Sequence, residues 1–344
     1  MSRAGYVYDP VYLEHDVPGH PESAGRLRAI MSHLEAAGVL AQLEALTPRD
    51  ATRDDLGLVH DPALIELVRL AAGGGNHWLD VDTYVVPRSY DAALRSAGGV
   101  LAAVDAVLGG GVDRAFSLVR PPGHHSTPGH AMGFCLFNNV AIAAVHLLER
   151  RGLERIAIID IDVHHGNGTQ DAFYGDGRVL YFSTHQYPFY PGTGDWSEMG
   201  EGPGRGAIVN VPLPRGCGDA EYFAAYREVC VPAVHRFKPQ FVLVSAGFDA
   251  HFADPLAQML VSTAGYFQIA SLLRDLADEL CDGRIVFALE GGYDHTAISW
   301  SAHACFDALL GKDFTPDPLG SAPAIRGPDI TALLGRIREV HGLS

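Results

Sequence analysis

The stretch "RIAIIDIDVHHGNGTQDAFY", Arg155 to Tyr174, begins like a buried β-strand and continues as a cluster of ionisable side chains. Its first half is rich in β-branched apolar residues, which is typical of a strand buried on both faces of a parallel sheet. Two carboxylates and two imidazoles follow: Asp160, Asp162, His164 and His165. Because a buried, unpaired carboxylate costs several kcal/mol, this cluster requires hydrogen-bond partners, a bound cation, or both.

Similar apolar runs recur along the chain and predict further strands: "AGYVYD", "RAFSLVR", "RVLYFSTH", "GAIVNVP", "QFVLVSAG" and "RIVFALEG". Amphipathic helical patterns lie between several of them: "PESAGRLRAIMSHLEAAG", "SYDAALRSAGGVLAAVDAVLGG", "NNVAIAAVHLLERRG", "DAEYFAAYREVCVPAVHRF" and "TAGYFQIASLLRDLADELCDG". This alternation predicts an α/β fold with a mostly parallel central sheet and helices on both faces. Without a repeat or linker to divide it, we expect one domain over 1–344. From about residue 312 a Pro/Gly-rich tail should wrap the surface before a last short helix from about Ile330.

The bulk composition is that of a packed globular protein. Of the 344 residues, 47% are hydrophobic and 19% are charged, and no apolar run is long enough to span a membrane. The amino-terminal "MSRAGYVYDP" lacks the apolar core of a signal peptide. Five cysteines without regular spacing fit a reducing compartment better than a disulfide framework, so we expect a cytoplasmic location.

The formal net charge of −16 argues against direct binding of nucleic acid, because phosphate recognition relies on Lys and Arg. An acidic surface would attract cationic substrates. It is also common in proteins that need only solubility, so composition leaves both interpretations open.

Polar clusters follow several of the predicted strands. "RPPGHH" follows "AFSLV", "SAGFDAH" follows "QFVLV" and "LEGGYD" follows "RIVFA", as "DIDVHHGNG" follows "IAII". Ligands of parallel α/β sheets bind outside the carboxyl ends of the strands. The clusters are therefore predicted to form one site.

Asp162, His164 and Asp249 form a candidate metal site. If the chain stays extended from Asp160 to His164, alternate residues point to one side and can reach one ion, and Asp249 closes the set. A single Asp-x-His is more typical of a helix cap or a hydrogen-bonded loop pair. The presence of Asp249 at the end of another strand is what favours a metal site. Two carboxylates and one imidazole leave a position open for water, as in catalytic zinc sites, and Fe(II) or Co(II) would also fit.

Three further residues suit catalysis beside that metal. His124 and His125, after the rigid Pro-Pro-Gly turn, suit general acid/base work on a metal-activated water. Tyr293, which follows two glycines, could donate a hydrogen bond to an oxyanion.

These motifs closely resemble the zinc-dependent histone deacetylase family, and most of all its class II branch and bacterial deacetylase-like amidohydrolases. The resemblance runs from about Tyr6 to Leu310 and rests on "RPPGHH", "MGFCLFNNVAIAA", "DIDVHHGNGTQDAFY", "YPGTGDWSEMG", "VLVSAGFDAH" and "ALEGGYD". It implies an arginase-like α/β fold. The implied reaction is hydrolysis of an N-acyl amide, typically acetyl-lysine or an acetylated amine.

The resemblance also implies roles for individual residues. By this resemblance, a single zinc ion would be held by Asp162, His164 and Asp249. His125 becomes the principal general base and acid, His124 its electrostatic partner, and Tyr293 the oxyanion donor.

Around these residues the resemblance implies a second layer. Asp160 would orient His124 and, with Ser183 nearby, help to bind a structural K⁺ or Na⁺ ion. Asn167 stands where other branches of the family carry an Asp behind the second histidine of the pair, here His125. This difference favours the class II assignment. An amide stabilises imidazolium less than a carboxylate does.

The family's acyl-lysine tunnel and its rim are expected to involve Phe134, Tyr190, Leu256, Asp82, Gly133 and Gly291. Polyamine-selective members place a glutamate just after the Asp-Pro that follows the third metal ligand, and Leu256 occupies that position here. An aliphatic residue gives a distal ammonium no partner, which favours acyl-lysine. Against this, Glu14 and Asp16 lie in a segment expected to reach the rim, so small cationic amines stay possible substrates.

Other functions fit these residues less well. A binuclear arginase or agmatinase type hydrolase needs extra carboxylates for a second metal, and His251 stands where one would be required. A non-enzymatic acyl-amine binder would lack a catalytic group, and none is missing. "GEGPGRG" precedes a strand and so predicts a loop, not a dinucleotide site. A homo-oligomer stays possible.

Overall fold

The computed structural model describes residues 3–323 and 326–343. Its strands are β1 (Ala4–Val7), β2 (Glu44–Leu46), β3 (His77–Trp78), β4 (Tyr84–Val85), β5 (Arg114–Ser117), β6 (Ile156–Asp160), β7 (Val179–Gln186), β8 (Ile208–Leu213), β9 (Phe241–Ala246) and β10 (Ile285–Leu289). Within these residues one sheet has eight strands, all parallel, in the order β2-β1-β5-β10-β9-β6-β7-β8. The pair β3–β4 is antiparallel and separate.

Helices flank this sheet. They are α1 (Ala24–Ala36), α2 (Arg53–Leu56), α3 (Pro62–Gly73), α4 (Ser89–Leu108), α5 (Asn139–Glu149), α6 (Asn167–Phe173), α7 (Asp219–Ala225), α8 (Val231–Phe237), α9 (Thr263–Leu280), α10 (His295–Leu310) and α11 (Thr331–His341). Short 3₁₀ turns lie at Pro10–Glu14, Leu40–Gln42 and Gly202–Gly204, and a π-helical turn at Tyr226–Cys230 joins α7 to α8. Helix α10 packs on α9 and α1, and α4 packs on α5. Among the described residues, no helix has the length and apolar content needed to cross a membrane.

Every strand predicted from an apolar run belongs to the parallel sheet, so the α/β class is confirmed. The edge strand β2 was not predicted, because it is short and two of its three residues are exposed. Helix α10 was also missed. It is buried nearly all round and so lacks the one-sided apolar stripe that marks a surface helix. The expectations for residues 1–2 and for the tail at 324–325 lie outside the described residues.

The strand order reverses between β6 and β9. From β6 the chain runs outward through β7 and β8, then returns to add β9 and β10 on the other side of β6. In parallel α/β sheets such a switch point opens a crevice at the carboxyl ends of the two strands. Asp162 follows β6 and Asp249 follows β9, so the predicted metal ligands flank this crevice.

Candidate active site

The structure brings Asp162, His164 and Asp249 together as one group whose ligand atoms all lie within 4.8 Å of one another. His164 Nδ1 is 3.2 Å from Asp162 Oδ1 and 3.1 Å from Asp249 Oδ2. Backbone N–H groups hold the other carboxylate oxygens: Gly291 donates to Asp162 Oδ2 and Val163 to Asp249 Oδ1, each at 2.8 Å. Each carboxylate is thereby oriented with its other oxygen toward the imidazole.

The electrostatics of this group call for a cation. Burial, and then the neighbouring Asp162 charge, raise the pKa of Asp249. Burial opposes ionisation of His164, yet the two carboxylates together raise its pKa to about 10. The cluster therefore favours positive charge between the two carboxylates. Two oxygen donors and one imidazole nitrogen are a donor set that suits a divalent ion such as zinc.

The extended chain expected from Asp160 to His164 is not observed. Strand β6 ends at Asp160, so the alternation of side chains does not continue through the metal ligands. The ligands converge through the bend that follows the strand. The Asp160 carboxylate supports this bend, because its Oδ1 accepts the Asp162 N–H at 3.1 Å.

Two glycines let the backbone approach the carboxylates closely. A Cβ at Gly247 would lie 2.0 Å from Asp162 Oδ2, and one at Gly291 would lie 2.2 Å from Asp249 Oδ2. No side chain fits at such distances without displacing a ligand. Gly291 was expected to line the tunnel, which it does, but the role of Gly247 was not predicted from sequence.

His124 and His125 lie side by side, with ring centroids 4.0 Å apart, and have different partners. His124 Nδ1 is 3.0 Å from Asp160 Oδ2, whereas His125 Nδ1 is 2.8 Å from Asn167 Oδ1. Burial alone would lower the pKa of His124, but Asp160 and Asp162 raise it to about 10. Burial, His124 and His164 lower the pKa of His125 well below its usual value. The pair therefore consists of one imidazolium and one neutral imidazole. The neutral ring is that of His125, which donates from Nδ1 to Asn167 Oδ1 and leaves its Nε2 as an acceptor.

Glu290 positions the loop that carries these histidines, a role that the sequence did not reveal. Its Oε2 accepts the N–H groups of Gly123 at 2.7 Å and His124 at 3.2 Å. Burial raises the pKa of Glu290 to about 7, with opposition from His124. The only signal in the sequence was its place at the carboxyl end of β10, beside Gly291.

A narrow cavity of about 90 Å³ leads to these residues. It is lined by Asp82, Pro122, His124, His125, Gly133, Phe134, Cys135, His164, Tyr190, Leu256, Gly291 and Tyr293. Six residues expected in the tunnel or at its rim are among them: Phe134, Tyr190, Leu256, Asp82, Gly133 and Gly291. Pro122 and Cys135 are additional, and the Cys135 side chain is fully buried.

Tyr293 is held from several sides. Its N–H donates to Asp254 Oδ2 at 2.6 Å, the Arg26 guanidinium lies 5.1 Å from its ring centroid, and the Phe134 ring packs edge-on at 5.9 Å. Burial, with Asp249 nearby, raises the pKa of Tyr293 well above its usual value, so the phenol keeps its proton. The sequence assigned no role to Asp254, although the Asp-Pro pair that it begins locates Leu256.

The tunnel walls are aromatic and its rim is mixed. Tyr190 packs edge-on against His125 at 5.1 Å, and its buried hydroxyl has no hydrogen-bond partner among the described residues. Phe189, which was not predicted, stacks on His164 at 5.3 Å. The expectation that Glu14 and Asp16 reach the rim is wrong for this cavity: neither lines it. Glu14 pairs with Arg88 at 2.7 Å, and Asp16 accepts the Ala24 N–H at 2.7 Å.

Asp160 and Ser183 are neighbours in the sheet, because the β6–β7 register pairs them directly. The Asp160 carboxylate is fully buried and accepts from His124 and from the Tyr181 hydroxyl, the latter at 3.0 Å. The Ser183 hydroxyl lies 2.9 Å from His185 Nδ1. The pair is thus adjacent without a direct hydrogen bond between the two side chains.

His251 does not extend the metal group. Its Nδ1 accepts the Ala253 N–H at 3.1 Å, and its Nε2 lies 3.3 Å from the Thr263 hydroxyl. In the described part of the chain the Asp-His-Asp group is the one cluster with metal-ligand spacing. His251 is therefore not part of the candidate metal group.

Comparison with known proteins agrees with this geometry. The model of the histone deacetylase domain family matches residues 20–309. A probable deacetylase of Archaeoglobus fulgidus is 40% identical over 341 residues, covering 97% of this chain and 92% of the relative. A histone deacetylase-like amidohydrolase of Pseudomonas aeruginosa is 39% identical over 331 residues, covering 96% and 86%. The crystal structure of the HDA15 HD domain superimposes with a TM-score of 0.90 at 37% identity and covers 99% of this chain and 94% of that one.

The fold and the Asp-His-Asp group define a metal-dependent amidohydrolase. The chain belongs to the histone deacetylase domain family, which confirms the resemblance seen in its motifs. It is an enzyme of the deacetylase/amidohydrolase type with a candidate divalent-metal site at Asp162, His164 and Asp249.

Proposed function

We propose that this enzyme removes acetyl groups from lysine side chains, with one zinc ion per chain as its cofactor. The observation that carries the proposal is the shape of the cavity. The cavity has a volume of only about 90 Å³ and is lined both by Phe134, Tyr190 and Leu256 and by the reacting groups His125, His164 and Tyr293. A cavity of this size suits a linear alkyl chain whose terminal amide meets the reacting groups. Fe²⁺ or Co²⁺ would suit the same ligands.

A divalent ion held by Asp162, His164 and Asp249 would polarise the acyl carbonyl and lower the pKa of a water molecule. His125, neutral and with Nε2 free to accept, takes the proton of that water as it attacks the acyl carbon. The same ring then returns the proton to the leaving lysine nitrogen as the carbon–nitrogen bond breaks. The products are the free amine and acetate.

Two other groups stabilise the negative charge that develops during this reaction. The Tyr293 hydroxyl donates to the oxyanion that forms from the acyl carbonyl, and its position is held by Asp254 and Arg26. His124, kept cationic by Asp160, stabilises the negative charge that develops beside it.

An acetylated polyamine is the second candidate substrate. The observation in its favour is that Asp82 lines the same cavity in a chain of net charge −16. Leu256 opposes it, because an aliphatic side chain inside the entrance offers a distal ammonium no partner. Contacts inside the entrance act on the bound state, whereas rim charges act mainly on the encounter rate and are screened by salt.

The specificity constants for an acetyl-lysine peptide and N8-acetylspermidine test this choice. We expect the peptide to be preferred, and Leu256→Glu to shift the ratio toward the polyamine. Leu319→Glu, a change of the same kind far from the cavity in sequence, is the control and should leave the ratio unchanged. A preference of the wild type for the polyamine that persists at high ionic strength would contradict the proposal.

Three further features belong to the proposal. A structural K⁺ or Na⁺ ion would bind beside Asp160 and Ser183, and the dependence of activity on K⁺ in a choline buffer tests it. A cytoplasmic location is supported by the five cysteines, all buried and unpaired. Association into a homo-oligomer is open to measurement by light scattering.

A further inference from the structure

A second cavity lies at the opposite edge of the sheet from the candidate metal site. It is an open groove of about 590 Å³ at the amino-terminal ends of β6, β7 and β8, closed on one side by the last turns of α8 and α11. Arg155, Arg205, Arg236 and His341 line it, together with apolar residues that include Met199 and Phe237. We call these four basic residues and the space between them the arginine groove.

The charge of this groove is opposite to that of the whole chain. The protein has 41 acidic and 25 basic residues, yet three arginines and no carboxylate line the groove. Among the described residues, Arg205 and Arg236 make no salt bridge, and Arg155 has only Glu154, at 3.7 Å on the exposed surface. Positive charge is therefore concentrated here without an internal partner.

Arg236 and His341 give the groove a defined wall. The Arg236 guanidinium donates to the His341 carbonyl and, at 3.5 Å, to the Gly206 carbonyl, which ties the end of α11 to the loop before β8. Carbonyl partners leave the positive charge of Arg236 uncompensated. The guanidinium is thus held in place and keeps its capacity to attract an anion.

His341 forms part of the buried wall of the groove. The residue is only 5% exposed, and its two ring nitrogens are buried and have no hydrogen-bond partner among the described residues. Burial and Arg236 lower the pKa of His341 to about 4, with the Gly206 carbonyl acting in the opposite direction. The imidazole therefore adds no charge to the groove near neutral pH, and the capacity to bind an anion rests on the three arginines.

We propose that the arginine groove binds a phosphate-bearing small molecule. Several guanidinium groups around one space match a multiply charged anion, and their planar donors suit phosphate oxygens. The volume lies within the range of small-molecule sites, and the apolar walls at Met199 and Phe237 leave room for an organic part beside the phosphate. The "GEGPGRG" loop, which is not a dinucleotide fingerprint, supplies Arg205 to this site.

Calorimetric titration with inorganic phosphate, pyrophosphate and AMP tests the proposal, at constant ionic strength set by chloride. We expect saturable binding of at least one of the three probes. Arg205→Gln should weaken it about tenfold, which corresponds to about 1.4 kcal/mol, because the variant loses a hydrogen bond from a charged group to the phosphate. Arg205 is exposed, so this change should leave the fold intact.

Two controls make the result decisive. Arg215→Gln alters an exposed arginine outside the groove and should bind as the wild type does. Asp249→Ala removes a candidate metal ligand and should also leave phosphate binding unchanged. No saturable binding of any probe, equal weakening by Arg205→Gln and Arg215→Gln, or binding lost only in Asp249→Ala would each overturn the proposal.

Discussion

At the scale of single residues, the Tyr293 hydroxyl can be removed without disturbing what holds the ring. Asp254 binds the backbone N–H, and Arg26 and Phe134 contact the ring, so none of these contacts needs the hydroxyl. We expect Tyr293→Phe to slow turnover by about 10²-fold or more, as loss of one oxyanion donor does elsewhere. Metal content should stay the same. Weaker substrate binding with unchanged turnover would make Tyr293 a binding residue instead.

The metal ligands give a second prediction at this scale. Asp162→Ala, His164→Ala and Asp249→Ala should each lose the bound divalent ion and all hydrolysis, because each removes one of three donors and leaves buried charge unbalanced. Metal per chain, measured by mass spectrometry, should fall from about one to near zero. Asp313→Ala changes an exposed carboxylate and serves as the control. Full activity after exhaustive chelation would refute the metal assignment.

At the scale of elements, the carboxyl ends of β9 and β10 need glycine for close packing. We expect Gly247→Ala to weaken metal binding at least tenfold, because its Cβ would lie 2.0 Å from Asp162 Oδ2 and must push that carboxylate aside. Gly335→Ala is the matched control, since an exposed glycine inside α11 has nothing within 4 Å of the added Cβ. That change should stabilise the protein by about 0.5 to 1 kcal/mol. Equal metal affinity in Gly247→Ala and wild type would contradict this account.

At the scale of the whole molecule, buried neutral histidines link folding to pH. His60 is 2% exposed; its Nε2 accepts the Asn138 N–H at 2.8 Å and its Nδ1 lies 3.1 Å from the Thr127 carbonyl. Burial is the main cause that lowers its pKa to about 4. Between that value and about 6.5 the unfolded chain binds a proton here and the folded chain does not, so this residue's contribution to stability is lost as pH falls.

His60→Gln should isolate that contribution. At pH 7 the variant should be less stable than the wild type, because both hydrogen bonds are altered. As pH falls from about 6.5 toward 4, the difference should shrink by up to about 1.4 kcal/mol per pH unit. Urea unfolding at a series of pH values measures it. A difference that does not change with pH would show that His60 does not titrate as described.

The sequence was sufficient for features that repeat or that follow from local pattern. Apolar runs alternating with amphipathic segments predicted the parallel sheet, and the carboxyl ends of parallel strands meet at one edge whatever the details of packing. The sequence alone therefore places the site on "DIDVHHGNG", "SAGFDAH", "RPPGHH" and "LEGGYD". Elements without a periodic signal, such as the exposed edge strand β2 and the all-round buried α10, could not be found this way.

Tertiary structure decided what depends on contacts between distant parts of the chain. Gly291 holds Asp162 across 129 residues of sequence, and Glu290 holds Gly123 across 167. The arginine groove likewise gathers Arg155, Arg205 and His341 from separate segments. Such contacts leave no local pattern, because hydrogen-bond geometry and close approach act through space at about 3 Å and are indifferent to separation along the chain.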